Sequence, residues 1–274
     1  MALNPEQIER YSRQILLKEM GGQGQEKLLS SRVLIVGVGG LGSPIALYLA
    51  AAGVGTLGLI DHERVELSNL QRQILHDSYD VEQPKVESAI KKLAALNPDV
   101  ELIAHSEKLS SVNALEILKN YDVIVDGSDN FPTRYLVNDA CVLLKKPNVF
   151  GSALRFEGQV TVFAPGGPCY RCLFPMPPAP GTVPTCAEAG VLGTVTGLIG
   201  SLQANETLKF LLGLKPTLVG KLLLVDVLNL RFEEIQLKKN PECPVCGTKP
   251  SVKKLIDYEE FCESASVSHP NRLI

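Results

Sequence analysis

Residues 32–42 read RVLIVGVGGLG, and this stretch decides the fold class of the chain. The apolar run from Val33 to Val36 has no polar interruption, which is typical of a β-strand buried on both faces. After the glycines that follow this run, apolar residues dominate again through Ala52, and this second apolar segment predicts a helix. Between the two elements lie three glycines, Gly37, Gly39 and Gly42. The sequence therefore predicts a strand, a glycine turn and a helix in direct succession.

Each glycine of this turn has its own predicted role in binding a nucleotide. Gly37 permits the tight turn, Gly39 lets the backbone approach a phosphate without a Cβ in the way, and Gly42 lets helix and strand pack closely. The N-terminus of the following helix attracts anionic oxygens. Such spacings also occur by chance in a chain with 23 glycines, so a glycine turn that binds no ligand is the alternative.

A second predicted strand, Thr56 to Ile60, ends in Asp61. In dinucleotide-binding and related folds an acidic residue at this place accepts hydrogen bonds from ribose hydroxyls. Strands and helices continue to alternate as far as residue 130, which predicts a parallel sheet with right-handed crossovers. Ligands of such sheets bind beyond the carboxyl ends of the strands, where the sequence places the glycine turn, Asp61 and Asp129.

Two cations and one carboxylate are predicted to lie near the phosphates. Arg72 belongs to the polar segment 68–73, which reads SNLQRQ, and Lys85 follows Pro84 before a predicted helix through Leu96. An ordinary solvated charge is the alternative for either cation taken alone. A carboxylate beside phosphates normally binds a divalent cation, because a bare carboxylate would repel them. Asp129 is therefore the predicted ligand of Mg²⁺.

The bulk composition is that of a soluble globular protein. The chain has 274 residues, of which 45% are hydrophobic and 21% are charged. Its net charge of −3 gives no general attraction to nucleic acid or to an anionic membrane. The polar N-terminus, residues 1–14, lacks the apolar core of a signal peptide. We expect a cytoplasmic protein that binds neither nucleic acid nor membrane, with one nucleotide-binding domain over residues 1–250 and a partly disordered tail over residues 251–274.

The two ends of the domain predict different elements. Asn4 is the predicted cap of a helix that runs to about Met20 and is broken by GGQGQ at residues 21–25. From Asn148 onward, strands follow one another without a regular helix between them, although one long helix is predicted over Leu192 to Leu212. These later strands are predicted at Gln159 to Phe163, Lys221 to Val227 and Arg231 to Leu237. The predicted fold class is α/β, with a Rossmann-like, mostly parallel sheet that antiparallel strands extend.

A proline-rich segment and four cysteines complete the pattern of the second half. Pro175 to Pro184 holds five prolines in ten residues and predicts an exposed, stiff loop.

The four cysteines form two Cys-x-x-Cys pairs, each on a turn. Four thiolates placed in this way suit tetrahedral Zn²⁺, and a set of four protein ligands leaves no open position on the metal for catalysis. A thioredoxin-like redox pair is the alternative, which two pairs without a neighbouring Trp do not favour. The sequence therefore predicts a structural zinc site. Its ligands are the two Cys-x-x-Cys pairs, Cys169 with Cys172 and Cys243 with Cys246.

These motifs occur together and in one order, and the chain resembles the MoeB/ThiF/HesA family of ubiquitin-activating-enzyme-like adenylyltransferases over roughly residues 5–250. Members use ATP to form an acyl-adenylate on the C-terminal glycine of a small ubiquitin-like sulfur carrier, which prepares it for thiocarboxylate formation. The resemblance implies ATP, Mg²⁺ and Zn²⁺ as cofactors, and as partners a homodimer and a carrier of the MoaD or ThiS type ending in Gly-Gly. It also implies that Arg13 is supplied to the neighbouring protomer's site. The implied ATP site comprises Gly40, Asp61, Ser68, Asn69, Leu70, Gln71, Arg72, Lys85, Asp129 and Asn130.

The implied chemistry needs cations rather than a general base. A C-terminal carboxylate has a pKa of roughly 3.5, so at neutral pH it is already an anionic nucleophile for the α-phosphate. Two like charges at about 4 Å repel by about 4 kcal/mol at an effective dielectric of 20, and a triphosphate presents several. Arg72, Lys85, Arg13 and Mg²⁺ on Asp129 are the groups expected to offset this repulsion and to stabilise departing pyrophosphate. No role is predicted for the histidines.

The sequence departs from some relatives and leaves alternatives open. Certain family members continue into a rhodanese domain, whereas this chain ends at Ile274, so we expect a cysteine desulfurase or a rhodanese to supply sulfur in trans. The motifs do not distinguish molybdopterin, thiamine and tRNA-thiolation pathways. An NAD-dependent oxidoreductase and a non-catalytic, zinc-stabilised carrier-binding module are the alternatives from other classes.

Cys186 is the predicted residue for covalent chemistry with the carrier. In the family, a cysteine in this loop forms a thioester or persulfide link to the carrier after adenylation, although not every member needs it. Cys186 follows the proline-rich loop and precedes the long helix, whose N-terminus favours a thiolate. An unreactive cysteine is the alternative.

Overall fold

A single eight-stranded sheet organises the described part of the chain, with strand order β3-β2-β1-β4-β5-β6-β7-β8. The structure is a computed structural model that describes residues 3–179, 181–183, 186–215 and 218–264, without the side chains of residues 186, 187 and 264. The strands are β1 (Arg32–Val36), β2 (Thr56–Ile60), β3 (Glu101–His105), β4 (Val123–Asp126), β5 (Asn148–Leu154), β6 (Glu157–Phe163), β7 (Lys221–Asp226) and β8 (Arg231–Gln236). The helices are α1 (Pro5–Arg10), α2 (Ser12–Ile15), α3 (Gly21–Leu29), α4 (Gly42–Ala51), α5 (Lys85–Leu96), α6 (Ala114–Leu118), α7 (Phe131–Leu144), α8 (Tyr170–Leu173), α9 (Cys186–Ala189), α10 (Gly193–Leu212) and α11 (Tyr258–Ser264).

The first half of the sheet is parallel and covered on both faces. β1 pairs in parallel with β2 on one side and with β4 on the other. Val33 and Ile35 point into a core shared with α4, α5 and α10. Leu34 and Val36 point into a second core shared with α6, α7 and α11. The unbroken apolar run is therefore a strand buried on both faces, as predicted.

The second half of the sheet is antiparallel, from the β5–β6 pair to the β7–β8 pair. α10 packs on β5 and β6 and also against α4, so it joins the two halves. The buried amide of Gln203 on α10 donates to the carbonyl oxygens of Asp126 and Val149, at 2.8 and 3.1 Å. The predicted α/β class, a mostly parallel sheet with an antiparallel extension, is confirmed.

The N-terminal prediction was wrong in two respects. The expected single helix to Met20 is two short helices, and the GGQGQ segment expected to break the chain lies inside α3. Tertiary packing overrides the weak helix propensity of glycine here. Gln25 is fully buried and donates to the carbonyl oxygen of Ala52 at 3.1 Å, and Gly24 lies so close to Met20 and Leu212 that a side chain would crowd them.

Two predictions for the second half were incomplete. β5 was not predicted as a strand of its own. The described residues of the proline-rich loop form neither helix nor strand, but Pro177 is buried rather than exposed. Of the predicted tail, residues 258–264 form α11, whose Tyr258 is buried and which packs against α7. The division of the chain at residue 250 stays a prediction.

A membrane-spanning helix needs both a sufficient length and a high hydropathy. None of the helices in the described ranges is both long and apolar enough to cross a bilayer.

Candidate active site

A cavity of about 560 Å³ opens at the carboxyl ends of β1, β2 and β4. It lies where the chain order of the sheet reverses, since β2 follows β1 on one side and β4 joins it on the other. Crevices at such switch points bind ligands in open α/β sheets, and the volume suits a small molecule. Predicted nucleotide residues that line it are Gly37, Gly39, Gly40, Asp61, Arg72, Lys85, Asp129 and Asn130. Predicted residues that do not line it in their own chain are Arg13, Gly42, Ser68, Asn69, Leu70 and Gln71.

The glycine turn has the backbone geometry that its sequence predicted. Gly37 adopts a φ of +84°, which disfavours any residue with a Cβ. A Cβ on Gly42 would collide with the carbonyl oxygen of Gly37, so the helix can approach the strand only with glycine there. The N–H of Val38 donates to Asp61 Oδ2 at 2.8 Å, which ties the turn to the end of β2.

His76 holds the same turn from its other side, although no role was predicted for it. It is buried, and burial lowers the pKa of its ring, so the ring is neutral at neutral pH. Its Nε2 lies 3.0 Å from the carbonyl oxygen of Val38, which can only accept, so this nitrogen carries the proton. Nδ1 then accepts from the Ser88 hydroxyl at 2.7 Å.

The SNLQRQ loop divides into residues that shape it and residues that face the cavity. Asn69 is buried, and its Oδ1 accepts the N–H of Glu66 at 3.2 Å. Arg72 Nη1 donates to the carbonyl oxygen of Ser68 at 3.0 Å, which directs the guanidinium along the cavity wall. Asn69 and the carbonyl oxygen of Ser68 therefore hold the loop, and Arg72 and Gln73 line the cavity.

Lys85 begins α5 and is almost completely buried, at 3% exposure. Its Nζ lies 2.5 Å from Glu63 Oε2. Burial acts to raise the pKa of Glu63, but the hydrogen bond and charge of Lys85 outweigh it and lower that pKa. Lys85 thus lines the cavity as a cation that is already ion-paired with Glu63.

Asp129 and Asn130 mark the entrance to α7. Asn130 caps the helix, since its Oδ1 accepts the N–H of Thr133 at 2.9 Å. The carboxylate of Asp129 is exposed beside the cavity. One free carboxylate beside a nucleotide site fits Mg²⁺, which binds through one or two carboxylates and substrate phosphates.

The cavity also contains charged residues that the sequence reading missed. Arg134 lies on the first turns of α7, one helical turn after Asn130, and that spacing could have revealed it. Lys108 and Glu259 form an ion pair of 2.7 Å at the cavity, and both are more than half exposed. They lie 151 residues apart, so no local pattern could have joined them.

The four predicted zinc ligands do come together. Their sulfur atoms lie within 4.8 Å of one another, with 3.6 Å between Cys169 and Cys243 and 3.4 Å between Cys172 and Cys246. A tetrahedron with Zn–S bonds of about 2.3 Å has sulfur atoms roughly 3.8 Å apart, so the set fits Zn²⁺. Burial raises the pKa of Cys169, and it raises that of Cys246 to about 12. A metal that binds here displaces those protons.

A buried ion pair ties this cysteine cluster to α11. Arg171 lies between Cys169 and Cys172 and is 2% exposed. Its Nε and Nη2 donate to the carboxylate of Asp139 at 2.9 and 2.8 Å, and the Tyr258 hydroxyl donates to the same carboxylate at 2.8 Å. The cysteine turn, α7 and α11 are therefore held by one carboxylate.

Two further residues were predicted for the site. One, Arg13, does not line the cavity of its own chain, and the side chain of the other, Cys186, is outside the described residues. Arg13 is exposed on α2. Cys186 begins α9, and its side chain lies outside the described residues, so its predicted role stays untested.

The chain belongs to the ThiF family, because the sequence profile of that family matches residues 11–245. The resemblance found from the motifs is thereby confirmed. The chain is 53% identical to the sulfur carrier protein adenylyltransferase of Thermus thermophilus over 268 residues, which are 96% of this chain and 99% of that protein. It is 54% identical to the adenylyltransferase and sulfurtransferase MOCS3 of Aedes aegypti, over 99% of this chain and 62% of that protein. It therefore spans about three fifths of the MOCS3 relative's length.

Solved structures agree with the fold. Escherichia coli MccB with ATP superposes with a TM-score of 0.75 at 23% identity, over 86% of this chain and 74% of that chain. PaaA superposes with a TM-score of 0.74 at 27% identity, over 88% of this chain and 76% of that chain.

Proposed function

We propose that this chain is an ATP-dependent adenylyltransferase that activates the C-terminal glycine of a small ubiquitin-like sulfur carrier. The observation that carries the proposal is the cavity at the switch point, where the glycine turn, Asp61, Arg72, Lys85 and Asp129 meet. The named activities of the relatives support this function. They support neither an NAD-dependent oxidoreductase nor a non-catalytic carrier-binding module.

The reaction follows from the charges in the cavity. A carrier carboxylate oxygen forms a bond to the α-phosphorus, the bond from that phosphorus to the bridging oxygen breaks, and pyrophosphate leaves with the electron pair. The nucleophile is already ionised at neutral pH, so no residue needs to remove a proton. Arg72 and Lys85, on the β2 side of the cavity, stabilise the charge that grows on pyrophosphate. Asp61 accepts from the ribose hydroxyls, and Asp129 holds Mg²⁺, which neutralises phosphate charge when bound.

The proposed assembly has further parts. Arg13 is exposed and lies outside its own cavity, and this supports a homodimer in which each protomer completes its neighbour's site. The cysteine cluster holds Zn²⁺ as a structural ion. Sulfur comes from a donor in trans, a cysteine desulfurase or a rhodanese. A reducing cytoplasm, where thiols stay free for metal, is the proposed location.

Carrier-dependent ATP–pyrophosphate exchange tests the function directly. The purified chain is mixed with ATP, Mg²⁺ and labelled pyrophosphate, and with each of several carriers ending in Gly-Gly. We expect label in ATP with at least one carrier and none without a carrier. Carrier binding without exchange would instead indicate the non-catalytic module, and NAD reduction without exchange would indicate the oxidoreductase.

A further inference from the structure

Arg134 differs from the two lysines of the cavity in what surrounds it. Lys85 is paired with Glu63, and Lys108 is paired with Glu259. Among the described residues, no carboxylate lies within ion-pair distance of Arg134, and its buried Nε has no hydrogen-bond partner. Its Nη2 reaches only the carbonyl oxygen of Ser128, at 3.4 Å. A guanidinium has five N–H donors, so Arg134 keeps donors free for a ligand.

The neighbours of Arg134 hold its guanidinium in place without neutralising it. The guanidinium lies over the rings of Phe131 and Phe150, with 5.4 and 5.7 Å from the carbon to the ring centres. The Tyr170 hydroxyl interacts with it, but burial raises the pKa of Tyr170 to about 12, so that hydroxyl is neutral. Asp126 is also near, but burial raises the pKa of its carboxyl, and it forms no ion pair with Arg134 in the described structure.

The position of Arg134 differs from that of Arg72 and Lys85. Those two residues follow β2, whereas Arg134 follows β4 and packs on Phe150 of β5, so the guanidinium lies across β1 from them. Displacement at the α-phosphorus places the attacking and leaving oxygens on opposite sides. Arg72 and Lys85 are proposed to stabilise the leaving pyrophosphate. Arg134, on the opposite side of the cavity, therefore lies on the side from which the carboxylate attacks.

We propose that Arg134 binds the C-terminal carboxylate of the carrier and positions it for attack on the α-phosphate. This inference rests on the proposed function. A planar guanidinium matches a carboxylate in a two-pronged geometry that a lysine ammonium does not offer. The N-terminus of α7, one turn away, adds a favourable potential for the same anion. Arg134 thus reduces the repulsion between the carboxylate and the triphosphate.

The test compares an acid with an amide. The probe is the ubiquitin-like carrier that supports exchange, made with its free Gly-Gly carboxylate and, by peptide ligation, with a C-terminal carboxamide. Binding of both forms is measured by calorimetry with a non-hydrolysable ATP analogue in the site. We expect the wild-type protein to prefer the carboxylate at least tenfold, and Arg134→Gln to bind the two forms within about twofold of each other.

Variants and kinetics separate this role from a structural one. Arg134→Gln should raise the KM for the carrier at least tenfold while the affinity for ATP changes by less than about twofold, and Arg134→Lys should recover part of the acid preference. Lys108→Gln removes a neighbouring cation that already has a carboxylate partner, so it should keep the preference. If Arg134→Gln folds poorly, the Lys variant carries the test, since a retained charge must retain a preference for the acid.

Two results would overturn the proposal. One is a tenfold acid preference that persists in Arg134→Gln, and the other is an equal loss of affinity for both carrier forms. Failure of the proposed function is a separate outcome, because the wild-type protein would then show no carrier-dependent exchange at all.

Discussion

Arg134 and Arg171 are both packed over aromatic rings, yet they lie in contrasting surroundings. Arg171 lies over Tyr135 and Phe261 and gives its charge to Asp139, which also accepts from Tyr258. Arg134 has the rings but no carboxylate partner among the described residues. A buried cation paired with a carboxylate contributes to the fold, whereas a cation beside a cavity without a counter-ion is available to an anionic ligand.

The same contrast separates the two regions of the molecule. Beside the cysteine cluster, Nε and Nη2 of Arg171 and the hydroxyl of Tyr258 all donate to the Asp139 carboxylate, which stabilises a buried charge that is costly to leave unpaired. At the cavity, Arg72, Arg134 and Asp129 form no ion pair within the described structure. Arg72 donates to the carbonyl oxygen of Ser68, and Arg134 contacts the carbonyl oxygen of Ser128 and the neutral hydroxyl of Tyr170. Fixed charges that wait for a developing charge are how active sites stabilise transition states.

The largest expected effect is the loss of zinc from the cysteine cluster. Structural zinc contributes on the order of 10 kcal/mol in small zinc domains, so chelation should lower the melting temperature sharply. Metal analysis should find about one zinc per chain in the wild-type protein and none in Cys246→Ser. Cys262→Ser, a half-buried cysteine outside the cluster, is the matched control and should keep its zinc. A metal-free protein of unchanged stability would exclude the structural role.

A smaller loss is expected when Arg171 is replaced. Arg171→Met leaves the Asp139 carboxylate buried without its cation and should lower the free energy of unfolding by about 3–5 kcal/mol in urea titrations. Adding Asp139→Leu should recover much of that loss, since no charge then remains buried. Lys119→Met breaks the exposed pair with Glu116 and should cost less than about 1 kcal/mol. An Arg171 variant as stable as the Lys119 variant would remove the contrast between the regions.

Arg13 is a third kind of cation, because it lies outside the cavity of its own chain. Arg13→Ala and Lys85→Ala should each lose at least tenfold in exchange, or about 1.4 kcal/mol of transition-state stabilisation. Mixing the two inactive variants should restore activity, since mixed dimers contain one intact site. Subunit exchange is followed by native mass spectrometry, and its occurrence without recovery would place Arg13 outside the neighbouring site.

The sequence predicted those features whose chemistry lies in short runs. The strand and turn at residues 32–42, Asp61 after β2, and the two cysteine pairs all depend on near neighbours in the chain. Two other features arise only from tertiary contacts. The helix over GGQGQ forms because Gln25 is buried against Ala52, and the Arg171–Asp139 pair joins residues 32 positions apart. Arg134 was missed although its spacing from Asn130 was visible, because its missing counter-ion shows only in three dimensions.

The most direct test of the contrast is carrier-dependent ATP–pyrophosphate exchange measured for Arg72→Ala beside Arg171→Met, with urea unfolding of both proteins. Arg72→Ala should lose at least tenfold in exchange and keep its free energy of unfolding, because the only hydrogen bond that its side chain makes to the described residues is the one to the Ser68 carbonyl oxygen. Arg171→Met should show the reverse, with near-normal exchange per folded molecule and reduced stability. Near-normal exchange by Arg72→Ala would contradict the assignment of the cavity cations to catalysis.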